Sequence, residues 1–352
     1  MHKYIETNEI LNEVCEGLNK EKELGVDLEC ENNMHHYGAY LSLIQISDSK
    51  SNYIIDILKI TEFQPLIDVL ENKKILKIFH GVDFDFRMLN HQLKCHPKNI
   101  FDTQVAAQLL GKEKIGLGDL IEEYFNVKKI KKFQKADWTR RPLTEGMLDY
   151  ASGDTIYLIR LKDIMRKELA EKSVWADQEF LDLEKRDWPY EEGTFNTVRG
   201  YAHLTPKERA IFRRLYTLRD NLAKQVDKPV HFVINNKTLI EFTIKPPKEW
   251  SKLRGVHPIV KRNAKLFSEE VSKGNKEELY IPEKEIKHFS HKERELFRNL
   301  GELQIKIGTK LGIKPHLVMN KEQIIDIVIN GNLNSLRDWQ KKLVEEDWKK
   351  IK

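Results

Sequence analysis

Val26-Asp27-Leu28-Glu29-Cys30 has the alternating pattern of a strand, and the first half of the chain is organised around it. Side chains alternate between the two faces of a strand, so Val26, Leu28 and Cys30 would face a core. Asp27 and Glu29 would then share the opposite face. Two carboxylates on one face repel each other unless a cation lies between them. The stretch therefore predicts either an edge strand with a solvated face or the start of a divalent-metal site, which requires further carboxylates from elsewhere.

The residues that follow predict a mixed sheet. Apolar, β-rich runs at 41–47 and 53–57 are separated by the turn residues 48–52, which indicates a three-stranded meander with the first strand. Strands are also expected at 74–79 and at 100–103, and helical patterns alternate with them. This alternation favours parallel pairing of the later strands. We expect an α/β fold with helices on both faces of the sheet.

An acidic residue interrupts the buried face of the helix expected after the fourth strand. The apolar residues of that face recur at helical spacing and are Val82, Phe86, Leu89 and Leu93. Asp85 falls inside this stripe, whereas Asp83 falls on the solvated side, where an acid near a helix start is common. A carboxylate directed at a sheet must be paired or bound to a metal. Asp102 is interpreted as a helix N-cap.

A second inward acid lies between Met147 and Leu161, which the apolar spacing predicts as one helix. Tyr150 and Asp154 are one turn apart on its buried face. The four inward or paired acids, Asp27 and Glu29 of one strand and Asp85 and Asp154 of two helices, thus come from three elements. This convergence favours the metal site over the solvated strand.

Composition and charge place limits on the class of protein. The chain has 352 residues, of which 40% are apolar and 33% charged, and this length suggests two or three domains. No apolar run is long enough to span a membrane, the start of the chain does not resemble a signal peptide, and three cysteines at unrelated spacings form no disulfide framework. A cytoplasmic protein is expected. Residues 1–204 carry a net charge of −7 and residues 205–275 a net charge of +9, a distribution that suits an acidic body with a basic appendage for a polyanion.

The second half of the chain contains an internal repeat. Residues 205–215 match residues 290–300, and 231–235 match 316–320 at the same offset of 85. Each copy opens with the pattern of a capping box, which marks a helix start. We therefore predict domains at 1–170, 205–276 and 286–352, with a linker at 171–204.

A basic loop at 128–141 precedes the second inward acid. Its cations are Lys128, Lys129, Lys131, Lys132, Lys135, Arg140 and Arg141. Phe133 and Trp138 are interleaved with them. Cations and aromatic faces together suit a nucleic-acid strand.

These motifs resemble those of ribonuclease D and its relatives in the DEDD exonuclease superfamily. The first motif is Asp27-Leu28-Glu29, the second runs from His80-Gly81 to Asp85, and the third is Tyr150 with Asp154, as in the tyrosine-bearing subclass. The stretches 134–138 and 141–143 are similar to the family's loop ahead of the third motif. The two repeats resemble helicase-and-RNase-D C-terminal (HRDC) domains. Leu28 departs from the usual Thr of ribonuclease D, as in the eukaryotic exosome-associated relative, and the second repeat is less basic than the first.

The resemblance implies a ribonuclease H-like exonuclease domain followed by two small all-α HRDC-type bundles. It also implies a 3′–5′ exoribonuclease that uses two Mg²⁺ or Mn²⁺ ions and releases nucleoside 5′-monophosphates from RNA 3′ ends, as in transfer-RNA processing. By this resemblance Asp27 bridges both ions, Glu29 and Asp154 hold the first, Asp85 supports the second through water, and Tyr150 orients the attacking water. The expected substrate contacts are His80, Gln134, Trp138 and Arg141.

Other activities remain open from the sequence. The same acids would serve a DNA 3′–5′ exonuclease, because only contacts to the 2′-hydroxyl distinguish the two sugars. A retired nuclease that only binds RNA is a further alternative, although all four acids and Tyr150 are present. A monomer without a required protein partner is expected.

Overall fold

The computed structural model describes residues 2–129, 132–280 and 289–351. Lys131 of the predicted basic loop and residues 286–288 of the predicted last module lie outside the described residues. None of the helices in the described part of the chain combines the length and the hydropathy that a membrane span requires.

The first half of the chain folds around a six-stranded sheet in the order β1-β4-β3-β2-β5-β6. The strands are β1 (His2–Ile5), β2 (Glu23–Asn32), β3 (Ala39–Ser47), β4 (Asn52–Asp56), β5 (Leu76–Phe79) and β6 (Ile100–Asp102). Strands β2, β3 and β4 form the predicted antiparallel meander, and β5 and β6 continue the sheet in parallel. Strand β1 is added in parallel beside β4. The predicted mixed sheet is confirmed.

Eight helices accompany this sheet in the described residues. They are α1 (Asn8–Leu18), α2 (Gln64–Glu71), α3 (Asp83–Leu93), α4 (Thr103–Leu109), α5 (Leu117–Phe125), α6 (Glu145–Thr155), α7 (Leu158–Leu169) and α8 (Ser173–Lys185). The larger core includes Val26 and Leu28 of β2. The opposite face of the meander is covered by a smaller cluster of Leu43, Ile54, Trp138, Met147 and Ala151.

The prediction of a single helix from Met147 to Leu161 is wrong. Helix α6 ends at Thr155 and α7 begins at Leu158. Met147 packs in the smaller cluster whereas Leu158 and Leu161 pack in the larger core, so the chain must turn between them. The apolar spacing continued across this turn by coincidence, and Tyr150 and Asp154 remain together on α6.

The second half consists of two helical modules. The first contains α9 (Pro206–Gln225), α10 (Val230–Val233), α11 (Asn236–Ile244), α12 (Pro258–Arg262) and α13 (Ala264–Gly274), and the second contains α14 (His291–Leu311), α15 (Pro315–Val318), α16 (Lys321–Asn330) and α17 (Asp338–Ile351). The first three helices of both modules begin 85 residues apart, and capping boxes at Thr205 and Ser290 start the first helix of each. The modules diverge after these three helices. The first continues with α12 and α13, and Phe267 of α13 stacks on Trp250, whereas the second continues with α17.

Both modules contact the sheet domain. The Trp339 ring of the second module stacks on Trp175 of α8, with 4.9 Å between ring centres. In the first module, Asp227 accepts a 2.6 Å hydrogen bond from His36, whose other ring nitrogen lies 3.2 Å from Asp137 of the sheet domain. His36 therefore links the loop between β2 and β3 to the first module.

The His36 contact predicts a stability that depends on pH. The hydrogen bond to Asp227, together with Asp137, raises the pKa of His36 above its ordinary value. The stabilisation is therefore complete below the unfolded pKa of about 6.5 and is lost as the pH rises through the higher folded pKa. His36→Asn should lower the free energy of unfolding by up to about 1 kcal/mol at pH 5.5 and by less at pH 9, because the pair is partly exposed. Urea unfolding of the full chain at both pH values measures this.

The exposed His203 forms no side-chain hydrogen bond or ion pair with the described residues and provides the control, since His203→Asn should change stability equally little at both pH values. A His36→Asn effect that is as large at pH 9 as at pH 5.5 would show that the imidazolium charge is not what stabilises the contact.

Candidate active site

Asp27 and Glu29 lie on the face of β2 that is turned away from the larger core. Their cross-strand partners on β3 are Gln45 and Leu43. Leu43 belongs to the smaller cluster, which α6 covers. The alternation of β2 thus directs both carboxylates to one face, as predicted, and this face lies beneath α6.

Helix α6 brings Asp154 to these carboxylates. Thr144 caps the helix through a hydrogen bond from the Met147 backbone amide, and Asp154 is 6% exposed near its end. One carboxylate oxygen each of Asp27, Glu29 and Asp154 lie within 4.8 Å of one another. Three hard oxygen donors at this spacing fit Mg²⁺ or Mn²⁺.

Asp85, on the first turn of α3, is close enough to Glu29 and Asp27 for their charges to interact, although it is not one of the three carboxylates that lie within 4.8 Å of one another. The start of α3 is held by Asp102, whose carboxylate accepts hydrogen bonds of 3.0 Å from the backbone amides of Gly81 and Val82. The same carboxylate caps α4 through Gln104, which supports the interpretation of Asp102 as structural. Asp83 is exposed and pairs with Arg87.

Burial and mutual repulsion perturb the acids strongly. Burial raises the pKa of Asp27 to about 6, opposed by the charge of Lys129. Burial, and then the charge of Asp27, raise the pKa of Glu29 well above its ordinary value, and the same two causes act on Asp85. Carboxylates that raise one another's pKa in a buried group are typical of a functional site.

Lys129 is a member of the site that the sequence did not distinguish from its neighbours. Its ammonium forms an ion pair with Asp154 and lies 5.4 Å from the centre of the Tyr150 ring. Burial lowers the pKa of Lys129 to about 8, although the charges of Asp27 and Glu29 oppose this. The run of lysines predicted a solvated nucleic-acid contact, whereas the structure places this cation among the acids.

Removing the Lys129 charge should strengthen metal binding. The ammonium competes with a cation for the same carboxylates, and two unit charges 4 Å apart interact by about 1 kcal/mol even in water. Lys129→Met should therefore bind Mn²⁺ at least about fivefold more tightly in calorimetric titration. Lys128→Met is the matched control, because the Lys128 side chain is 85% exposed and contacts only Glu122 among the described ion pairs. Unchanged or weaker binding by Lys129→Met would contradict this competition.

A cavity of about 460 Å³ opens over the acids. Its lining includes Asp27, Glu29, Asp154, Tyr150, His80 and Gln134. His80 lies 2.9 Å from the Thr103 hydroxyl, and burial lowers its pKa to about 4, so its imidazole is neutral at pH 7. His80 and Gln134 are therefore placed where a substrate in the cavity would lie.

The two other expected substrate contacts lie elsewhere. Trp138 is only 2% exposed and packs in the smaller cluster. Arg141 forms two hydrogen bonds to the buried Asp56, of 2.5 and 2.6 Å, and a third to the Trp138 carbonyl. Packing and pairing, rather than the cavity, account for the positions of these two side chains, so their roles as substrate contacts stay predictions.

Comparison with known proteins finds a family match in each half of the chain. Residues 2–170 match a 3′–5′ exonuclease family model and residues 208–273 match the HRDC domain. The exosome complex exonuclease RRP6 of Saccharomyces cerevisiae is 30% identical over 81% of this chain and 43% of its own length. Ribonuclease D of Haemophilus influenzae is 31% identical over 70% of this chain and 63% of its own length. The chain thus matches less than two thirds of the length of either relative.

Solved structures share the fold. The Escherichia coli RNase D structure, described as an exoribonuclease involved in structured RNA processing, superposes with a TM-score of 0.72 at 23% identity and covers all of this chain and 98% of that one. The catalytic core of RRP6 from Trypanosoma brucei has a TM-score of 0.67 at 25% identity, over 77% of this chain and 79% of that one. The chain thus contains a domain of the 3′–5′ exonuclease family at residues 2–170, followed by an HRDC domain at residues 208–273.

Proposed function

We propose that the protein is a metal-dependent 3′–5′ exoribonuclease that releases nucleoside 5′-monophosphates. The observation that carries this proposal is the convergence of the Asp27, Glu29 and Asp154 carboxylates in an open cavity. The names of the relatives, an exosome exonuclease and a ribonuclease D, support RNA as the polymer. The proposed substrates are RNAs with a single-stranded 3′ tail, including transfer-RNA precursors.

The proposed ligands of two Mg²⁺ or Mn²⁺ ions are the four acids. Asp27 would contact both ions, Glu29 and Asp154 would hold one, and Asp85 would support the other through water. When bound, such ions lower the pKa of a water and neutralise charge on the leaving oxygen. The carboxylates supply charge and fixed orientation, which is most of what phosphoryl chemistry requires.

The remaining cavity residues would handle water and substrate. Burial, and then the charges of Glu29 and Asp27, raise the pKa of Tyr150 to about 12, so its hydroxyl keeps its proton at neutral pH and can orient the attacking water. Gln134 offers an amide to the RNA. Neutral His80 offers a hydrogen bond without adding a charge.

The helical modules would hold the body of the RNA. Residues 205–275 carry a net charge of +9, which suits phosphate binding, whereas residues 285–352 carry +4. We assign the exonuclease domain to 1–170, a linker to 171–204, and the modules to 205–276 and 286–352. The common order and spacing of their first three helices supports an HRDC-type origin for the second module as well. We propose that the protein acts as a monomer.

Labelling the two ends of one RNA in separate experiments tests the direction of degradation and the chemical form of the released nucleotide. The 3′ label should appear at once as a nucleoside 5′-monophosphate, while the 5′ label remains on a ladder of shortening products. Early loss of the 5′ label as a mononucleotide, or cleavage at internal positions, would contradict the proposal. A DNA oligomer of the same sequence, degraded faster than the RNA, would favour the alternative of a DNA exonuclease.

A further inference from the structure

Gln45 of β3 is a fully buried polar side chain without a partner. It is 0% exposed, and neither its Oε1 nor its Nε2 has a hydrogen-bond partner among the described residues. Burying an amide without a hydrogen-bond partner is energetically unfavourable, and such groups are rare in folded proteins. A residue of this kind therefore requires a reason other than packing.

The register of the sheet places Gln45 beside the proposed metal ligands. Gln45 is the cross-strand partner of Asp27, and directly opposed residues have Cβ atoms about 4.5–5.5 Å apart on the same face. Leu43 and Ser47 flank Gln45 on that face. Leu43 packs with Ala151 of α6, and the Ser47 hydroxyl is hydrogen-bonded to Thr155 of α6. Gln45 thus lies under the turn of α6 that carries Asp154.

A complementary donor lies nearby. The Trp138 indole is 2% exposed, and its Nε1 also lacks a partner among the described residues. Trp138 packs with Leu43 and with Ile54, the residue paired with Gln45 on β4. An indole can only donate, whereas an amide accepts at Oε1 and donates at Nε2. Gln45 could therefore accept from Trp138 and donate to a carboxylate.

We propose that Gln45 is a positioning residue for Asp27. This inference rests on the proposed function, since it concerns the same site. In the metal-loaded protein, the Gln45 amide donates to the Asp27 carboxylate and fixes its orientation, while Trp138 Nε1–H orients the amide. Groups that orient a metal ligand typically contribute about 10- to 100-fold to metal affinity.

The test is Mn²⁺ titration by calorimetry of the full chain without RNA. Gln45→Met keeps the length of the side chain and removes both polar atoms. We expect Mn²⁺ affinity to fall by about 10- to 100-fold, and kcat on RNA to fall at saturating metal with little change in KM. The melting temperature should stay the same or rise, because an unpaired buried amide is lost. Gln45→Leu provides a second variant with the same expected result if the methionine variant does not fold.

Ser42→Ala is the matched control. Ser42 is also 0% exposed on β3, and its hydroxyl also lacks a partner among the described residues. The pairing of β3 with β2 shifts between Leu43 and Leu41, so Ser42 lies opposite no residue of β2. Ser42→Ala should leave Mn²⁺ affinity unchanged.

The outcomes separate this inference from the proposed function. If folded Gln45→Met or Gln45→Leu binds Mn²⁺ as tightly as the wild type, the positioning role of Gln45 is overturned and the nuclease proposal remains intact. A wild-type protein that binds no Mn²⁺ overturns both.

Discussion

Asp27→Ala is expected to abolish RNA hydrolysis while leaving RNA binding intact. One carboxylate oxygen of Asp27 lies within 4.8 Å of an oxygen of Glu29 and of Asp154, and we propose that Asp27 contacts both ions. Removing one group that stabilises developing charge typically costs roughly 10²- to 10³-fold in rate, and loss of a shared ligand should cost at least this much. The stability of the fold should not decrease. The charge of Asp27 raises the pKa of Glu29 and of Asp85, and removal of this charge relieves the repulsion between the carboxylates.

Three measurements are needed for this prediction: single-turnover cleavage of a labelled RNA, RNA affinity by gel retardation, and the melting temperature. Asp154→Ala should behave in the same way. Asp83→Ala is the control, because Asp83 is two residues from Asp85 but is exposed and paired with Arg87. Near-normal turnover by Asp27→Ala or Asp154→Ala would refute the assignment of the site.

Arg141→Ala is expected to destabilise the protein by about 3–5 kcal/mol, the cost of leaving a buried charge without its partner. Asp56 is 0% exposed and accepts hydrogen bonds from Arg141 and from the Tyr4 hydroxyl. Burial raises the pKa of Asp56, but these hydrogen bonds and the charge of Arg141 outweigh it and leave the pKa below its ordinary value. Arg141 also holds the Trp138 carbonyl, so its loss would release the loop that leads to α6.

Urea unfolding of the full chain measures this loss of stability. Arg140→Ala is the matched control, because Arg140 is exposed and should change stability little. The double variant Asp56→Leu with Arg141→Met should recover much of the loss, since replacing both partners of a buried pair by apolar residues is often neutral. If Arg141→Ala unfolded like the wild type but bound RNA weakly, the original expectation of a substrate contact would be right.

The parts of the fold that follow local rules were predictable from the sequence. Strand alternation placed Asp27 and Glu29 on one face, and helical spacing placed Tyr150 beside Asp154. The repeat offset of 85 predicted two helices with capping boxes, at Thr205 and Ser290, because caps depend on residues three apart.

The features that the sequence did not predict depend on residues that are far apart in the chain. Arg141 pairs with a residue 85 positions earlier in the chain, and no local pattern indicates that partner. The basic loop around Trp138 favoured a nucleic-acid contact. Only the fold shows that Leu43 of β3 and Ile54 of β4 pack with the Trp138 ring. The turn between α6 and α7 depends on which of two cores each apolar residue joins, and periodicity alone contains no such information.

The most direct test of the account is a time course with a 5′-labelled RNA that has a structured body and a single-stranded 3′ tail, run with Mg²⁺, with Mn²⁺ and with EDTA. We predict stepwise shortening from the 3′ end with either ion and none with EDTA, and no shortening by Asp154→Ala under any condition. RNA that stays at full length with both ions, although the protein retards it on a gel, would contradict the account and favour a protein that only binds RNA.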